Sequence, residues 1–381
     1  MIPYGRQDIQ QSDIDAVTDV LKSDFLTQGP CVPAFEDRLK TVTQAGHAVA
    51  VNSATSALHI ACLALGVGAG DVVWTSPITF IASANVALLC GAEVDFVDID
   101  LGTFNMDPVA LRAKLEAAKQ DGCLPKAIIP VHMCGQSCDM EKIGGLAKEF
   151  GVHVIEDASH AIGGRYASQP IGACQFSDIC VFSFHPVKIV TTAEGGVACT
   201  QSADLADKMR LFRSHGVTRD TGIMSHPDEG PWYYEQIELG LNYRMTEMQA
   251  ALGLSQLLRL AEYVARRNAL AHRYDYLLQD VPVRLPQRSA NVLSAFHLYV
   301  IQVDPDKRRR VFEAMRAEGI GVNVHYIPVH TQPYYRALGF EYGQFPVAEA
   351  YYAGALSIPL YPGMTEADQE TVVESLKRAL L

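Results

Sequence analysis

Between about residues 46 and 215, short runs of apolar and β-branched residues alternate with longer stretches whose apolar positions recur every three to four residues. "HAVAVN" reads as a strand and "SATSALHIACLALG" as the helix after it. "DVVWTS" is followed in the same way by "FIASANVALLCG", "EVDFVDI" by "DPVALRAKLEAAK", and "KAIIPVH" by "DMEKIGGLAKEFG". "VHVIED", "DICVFSF" and "GVACT" complete the strands, and the helical "SADLADKMRLFRSHG" closes the region. Such alternation specifies an α/β domain whose mostly parallel sheet is covered on both faces.

Near Thr246 the texture changes. "TEMQ" has the form of a capping box, with Thr246 at the cap and Gln249 three residues later. A helical pattern runs on to about Gln279, "FHLYVIQVD" reads as a strand and "RRRVFEAMRAEG" as a helix. "GVNVHYIP" is strand-like, and "TEADQETVVESLKRALL" is a closing helix. A chain of 381 residues exceeds what one core usually serves. The expected division is an N-terminal segment and large α/β domain over 1–245, then a smaller α+β domain over 246–381.

Charge and cysteine usage exclude several functions. Net charge is −12, from 31 basic and 43 acidic residues, which argues against a nucleic-acid partner; any phosphate must be caught in a local pocket. Nine cysteines occur without a CxxC or a histidine at zinc spacing, so no metal site is expected, and the odd total fits reduced thiols of the cytoplasm. Ala48 to Gly70 lacks Asp, Glu, Lys and Arg. Its Asn52, Ser53, Thr55, Ser56 and His59 nevertheless suit a buried strand and helix better than a membrane span. With no signal peptide visible, a soluble cytoplasmic protein with no membrane partner is expected.

In open α/β sheets, ligands collect beyond the carboxyl ends of strands. Four polar features fall there. "NSATSA" after the first strand is a hydroxyl-rich helix start, which suits a phosphate or simple capping. "EDASHA" puts Asp157 at a strand end and His160 one turn on. "PITF" places Phe80 where it could stack on a flat ring or pack in the core. "FSFHPVKIVTTAEGG" sets Lys188 five residues after Ser183, among apolar residues and with one acid, Glu194, nearby. Burial of such an amine depresses its pKa and makes it a nucleophile towards a carbonyl. One ligand uses all four features: pyridoxal 5′-phosphate. Its phosphate takes a helix N-terminus, its ring a stacking face, its aldehyde a lysine, and its pyridinium nitrogen a carboxylate.

"NSATSAL", "EDASHA", "FSFHPVKIVTTAEGG" and "LGLNYRMTEMQAALG" occur in the order and spacing of the DegT/DnrJ/EryC1/StrS sugar aminotransferases, and the whole chain resembles that family of fold-type I pyridoxal-phosphate enzymes. The resemblance implies that Lys188 forms the Schiff base and carries the proton, and that Asp157 holds the pyridinium. It places His160 near the ring hydroxyl, Phe80 in a stack, and Thr55, Ser56 and Ser183 on the phosphate. It also has Asn242 reach the phosphate of a partner subunit's cofactor in a homodimer with shared active sites. Tyr4, Thr27, Gly29, His325 and Tyr326 would line the sugar-nucleotide site. With "SDFLTQGP", "GPWYYEQ" and "GVNVHYIPVH", the chain is most similar to the pseudaminic-acid branch of the family. Enzymes of that branch aminate C4 of a UDP-linked 4-keto-6-deoxy-N-acetyl sugar from L-glutamate, through pyridoxamine 5′-phosphate.

Other outcomes on the same fold are amination of a different nucleotide-linked keto sugar, dehydration of a sugar, and non-catalytic regulation. The dehydratases carry histidine at the lysine position, and a regulator would be expected to lose the lysine or the acid. This chain keeps Lys188 and Asp157.

Overall fold

The computed structural model describes residues 1–381. Strands β1 (His47–Val51), β2 (Val72–Thr75), β3 (Glu93–Phe96), β4 (Ala127–Ile129), β5 (His153–Asp157), β6 (Ile179–Ser183) and β7 (Gly196–Thr200) form one seven-stranded sheet in the order β1-β7-β6-β5-β4-β2-β3. Only β7 runs against its neighbours, and every other pairing in the sheet is parallel. Side chains alternate between two cores, as strand geometry requires. Val49, Val51, Ile155, Ile179 and Val181 pack on one face with helices α3 (Ala54–Ala64), α4 (Ala82–Leu89) and α7 (Ala203–Arg213). On the other face, Ala50, Phe182 and Cys199 meet Phe35 and Leu39 of α2 (Cys31–Thr43). Farther along that face, Ile128 and Val154 meet α5 (Pro108–Asp121) and α6 (Met140–Phe150).

Helix α1 (Gln11–Leu21) and α2 precede the alternating pattern, and they pack against α8 (Glu247–Leu257). Buried Glu247 explains part of that contact. Its carboxylate accepts the Cys31 and Val32 amides, at 2.6 and 3.2 Å, where α2 has free N–H groups and a favourable dipole. The expected capping box is formed, with Thr246 accepting from the Gln249 amide and Gln249 reaching back to the Thr246 amide. The helical pattern to Gln279 is two helices rather than one. It breaks at Leu258–Arg259, before α9 (Leu260–Leu277). The Arg259 guanidinium turns onto buried Asp13 of α1, 2.7 Å away.

This break bears on the two-part division. Residues of α8 and the start of α9, such as Ala250, Leu257 and Val264, share the core of the large sheet. A separate core begins near Leu270 and joins α9, the antiparallel pair β8 (Tyr299–Gln302) and β9 (Ala355–Ile358), α10 (Pro305–Ala317) and the last helix (Glu366–Leu380). The strand expected at "GVNVHYIP" is not formed. Asn323 alone bridges to Ser357, and the chain then leaves the ladder. The Asn323 side chain accepts the Val324 amide (2.9 Å), and His325 Nδ1 pairs with Ser357 Oγ (2.7 Å), so side chains take the place of backbone partners. No helix is long and apolar enough to cross a membrane, and no group of three or more His, Cys, Asp or Glu is placed to hold a metal.

Candidate active site

A cavity of about 940 Å³ opens at the carboxyl ends of β1, β5 and β6. Helix α3 begins there. Ser53 caps it by accepting the Ser56 amide (3.1 Å), and Ser56 Oγ donates to Asn52 Oδ1 (2.6 Å). The second glycine of "EGG" makes this start possible. A Cβ on Gly196 would lie 2.5 Å from the Ala54 nitrogen, so only glycine lets β7 pass beneath the helix N-terminus. Ser53, Ala54, Thr55, Ser56 and Ser183 line one end of the cavity, and a helix N-terminus ringed by hydroxyls is an anion seat.

Lys188 stands on a loop tied at its base. The Phe184 amide donates to the Gly195 carbonyl and the Thr192 amide to the Phe184 carbonyl, both at 2.9 Å. Thr191 Oγ1 donates to the same Phe184 carbonyl (3.1 Å), which gives the two threonines of the motif a structural purpose. Ile189 and Val190 are buried beneath. Burial pushes the Lys188 amine down to about 8, against the opposing pull of Asp157. At pH 7 about a tenth of such an amine is neutral, against roughly one part in 2,500 for an ordinary lysine near 10.4.

Asp157, at the end of β5, is buried and fully engaged on its inner side. Its Oδ1 accepts the Ser159 amide (3.1 Å) and its Oδ2 accepts the Ser83 hydroxyl (2.6 Å). Three imidazoles surround the lysine. Burial and then the Lys188 charge hold His160 and His297 well below the usual histidine range, and the same causes bring His325 to about 4. These rings are therefore neutral hydrogen-bonding groups at physiological pH. His160 Nε2 pairs with the Tyr326 hydroxyl at 3.1 Å, while its buried Nδ1 has no partner. An unpartnered buried nitrogen in a cavity wall is what a bound ligand would complete.

Of the residues singled out in the sequence, Thr55, Ser56, Phe80, Asp157, His160, Ser183, Lys188, Tyr4, His325 and Tyr326 all line this cavity. Phe80 is more than half exposed beside it rather than buried in the core. Thr27, Gly29 and Asn242 do not line it. Thr27 bridges to Thr246, Gly29 packs over Glu247, and Asn242 is exposed, its carbonyl near the Asn52 side chain. Sequence reasoning passed over Thr79, Ser83, Ser159, Gln249, His297 and Asn323, of which all but Ser83 line the cavity and Ser83 reaches Asp157 behind it. Ser83 was within reach, since it lies one turn beyond Phe80 in a segment already marked.

The residues present fit pyridoxal phosphate: an anion seat, a carboxylate, an open aromatic face and a lysine with a usable neutral fraction. When bound, the group supplies an electron sink for the carbon that gains or loses an amine. In such a site Asp157 would face the ring nitrogen and the Lys188 amine would be the group able to carry a proton.

The model of the DegT/DnrJ/EryC1/StrS aminotransferase family matches residues 7–377. Among curated proteins, the spore coat polysaccharide biosynthesis protein SpsC of Bacillus subtilis is 42% identical, covering 99% of this chain and 96% of that protein. A UDP-4-amino-4,6-dideoxy-N-acetyl-beta-L-altrosamine transaminase of Campylobacter jejuni is 37% identical over the same shares. Among solved structures, Helicobacter pylori PseC, an aminotransferase of pseudaminic-acid biosynthesis, superposes with a TM-score of 0.91 at 31% identity, covering 100% of this chain and 99% of that one. The PLP form of Spr1654 from Streptococcus pneumoniae gives 0.90 at 30%, covering 100% and 98%. The chain belongs to the DegT/DnrJ/EryC1/StrS family and is a pyridoxal-phosphate-dependent sugar aminotransferase.

Proposed function

We infer that the protein transfers the amino group of L-glutamate to C4 of a UDP-linked 4-keto-6-deoxy-N-acetyl sugar, UDP-2-acetamido-2,6-dideoxy-β-L-arabino-hexos-4-ulose, as in pseudaminic-acid biosynthesis. The observation that carries this reading is the end-to-end 37% identity with a transaminase named for that type of amino sugar. In this reading Lys188 is the catalytic residue, moving the proton between cofactor and sugar carbon. Asp157 partners the ring nitrogen, His160 the ring hydroxyl, and Phe80 the ring face. Thr55, Ser56 and Ser183 hold the phosphate. Tyr4, His325 and Tyr326 meet the sugar nucleotide.

The charge inventory supports a homodimer that shares its sites. Lys188 is the one lysine or arginine in the cavity lining, which also carries Asp157 and Glu194, and its three buried imidazoles are neutral. A cofactor phosphate and a nucleotide diphosphate add several negative charges, so further cations and donors must arrive from outside this lining. Asn242, exposed beside Asn52, would serve the partner's phosphate. Nine unpaired cysteines suit the cytoplasm, where nucleotide-linked sugars are made.

A second reading is amination of a different nucleotide-linked keto sugar, favoured by the higher identity to SpsC, whose name specifies a polysaccharide and no sugar. The two separate in one experiment. Purified enzyme is offered UDP-, TDP- and GDP-linked keto sugars with glutamate, and the products are identified by NMR. The UDP-linked L-arabino 4-keto sugar should give the highest kcat/KM; a higher value with a TDP-linked sugar would reject the proposed substrate.

A further inference from the structure

We propose that Ser83, backed by Thr79, is a positioning residue that holds the Asp157 carboxylate opposite the cofactor's ring nitrogen. The proposal rests on the reading of Asp157 given above. All three side chains are buried, at 0%, 1% and 5% exposure. Ser83 Oγ lies 2.6 Å from Asp157 Oδ2 and 2.7 Å from Thr79 Oγ1.

The proton positions in this chain follow from counting. An ionised carboxylate only accepts, and a serine hydroxyl has one proton. The Phe80 carbonyl is a second acceptor for the Ser83 proton at 3.4 Å, but Asp157 at 2.6 Å is much the closer, so Ser83 donates to Asp157 and accepts from Thr79. The result is a directed line, Thr79 to Ser83 to Asp157, with both O–H dipoles aimed at the carboxylate. Such aligned bonds polarise one another and strengthen towards a charged acceptor. They hold the carboxylate in one orientation, so that it can face a ring nitrogen and partner the proton there.

The placement is economical. Thr79 and Phe80 lie just before α4 and Ser83 in its first turn, so the segment that offers Phe80 to the cavity also braces the acid behind it. Were Ser83 only filling a buried site, its loss would lower stability and leave the ring nitrogen unchanged.

The test uses holoenzyme reconstituted with pyridoxal phosphate carrying 15N in the ring, in native, Ser83→Ala, Thr79→Val and Asp157→Asn forms. The 15N shift reports whether the ring nitrogen is protonated. The native signal should sit in the protonated range, and Ser83→Ala should move it towards the unprotonated one. In the same variant kcat for the glutamate half-reaction should fall about tenfold, with KM changed less than about twofold, as for loss of one charge-assisted hydrogen bond. Thr79→Val should shift the signal the same way by less, with about a twofold loss of rate; it carries the test if Ser83→Ala does not fold. Native shifts in both hydroxyl variants, with a moved signal in Asp157→Asn, would overturn the role of Ser83. An unmoved signal in Asp157→Asn would overturn the reading of Asp157 and remove the basis of the proposal.

Discussion

Asp157, Ser183 and the start of α3 stand at the ends of strands of one sheet, whereas Tyr4, Asn323, His325 and Tyr326 come from the chain's first residues and from an irregular segment far along it. On the sheet side, register fixes each side chain. Asp157 lies beside Val181 of β6, and Gly196 pairs with both Ser183 and Val51. On the other side, positions depend on side-chain contacts, such as His325 with Ser357 and Tyr326 with His160. Chemistry common to a family needs the first kind of precision. Selection among sugars can tolerate the second kind and draw on its adjustability. If this division is right, substitutions on the sheet side should change rates, and those opposite should change substrate affinity.

The largest effect should come from Lys188. Lys188→Ala removes the only amine in the cavity lining, so turnover should drop by about 10⁴-fold or more, the upper range for a general acid–base group. Borohydride treatment of native holoenzyme should attach the cofactor to Lys188. Recovery of the label on Lys208 instead would show that the wrong segment had been chosen. Next in size is Asp157→Asn, which keeps shape and loses charge. The glutamate half-reaction should slow by roughly 100-fold or more, about 3 kcal/mol of lost charge stabilisation, with cofactor still bound. Near-native rates in stopped-flow traces would give the ring nitrogen another partner.

Legibility in the sequence follows the same division. Apolar runs that give way to polar residues, as in "VHVIED", "DICVFS" and "HAVAVNS", announce strands and the residues at their carboxyl ends, and that pattern marked Asp157, Ser183 and the α3 hydroxyls. Helix α2 does carry a helical stripe, Val32, Phe35, Leu39 and Val42, that was passed over, whereas α1 gave no such signal. Only Asp13 and Val20 of α1 are buried, and Ile14 and Leu21 are exposed, so no apolar stripe repeats. The break at Leu258–Arg259 depends on Asp13, more than two hundred residues earlier, and local periodicity holds no trace of such a partner. "GVNVHYIP" has the alternation of a strand, but its polar side chains satisfy the backbone and each other, so the pattern misled.

A smaller effect is expected opposite the sheet. His325→Ala should raise KM for the nucleotide sugar about tenfold while changing the glutamate half-reaction less than about twofold, the signature of lost uniform binding. Because burial and the Lys188 charge bring His325 to about 4, it stays neutral above pH 5. KM for the sugar should thus show no inflection near 6.5 in native enzyme. A histidine-like inflection there, absent from His325→Ala, would mean that the ring titrates and binds as a cation.

Asn242 tests whether the division extends across two subunits. Lys188→Ala and Asn242→Asp homodimers should each be inactive or weak, the second because it sets a negative charge against phosphate. After unfolding and remixing in equal amounts, about half the dimers should be mixed, each with one site free of both defects. Activity should return to about a quarter of native by the same pairing count, a fourfold deficit. If Asn242 serves its own chain, no mixed site is whole, and activity should remain at the homodimer level after verified exchange.

The smallest effect concerns stability and asks what the sheet side costs the fold. Lys188 titrates at about 8 in the folded protein and near 10.4 when unfolded. Below pH 8 it is charged in both states, and the folded apoprotein carries the full cost of enclosing an ammonium. Between about pH 8 and 10.4 the folded form releases its proton while the unfolded chain retains it, so stability rises with pH through that window. Taken at face value the shift corresponds to roughly 3 kcal/mol, but Lys188 lines an open cavity and is only partly buried, and about 1 kcal/mol is the expected size. Lys188→Met has a similar stem and no charge. Its apoprotein should therefore be about 1 kcal/mol more stable than native at pH 7, in urea midpoints multiplied by the slope. The advantage should shrink as pH rises through 8 and vanish near 10. Comparing the two proteins at each pH cancels every other alkaline titration. A methionine variant that is less stable at pH 7 would mean that the Lys188–Asp157 attraction outweighs burial, and the amine would then be too basic to supply the neutral fraction its chemistry requires.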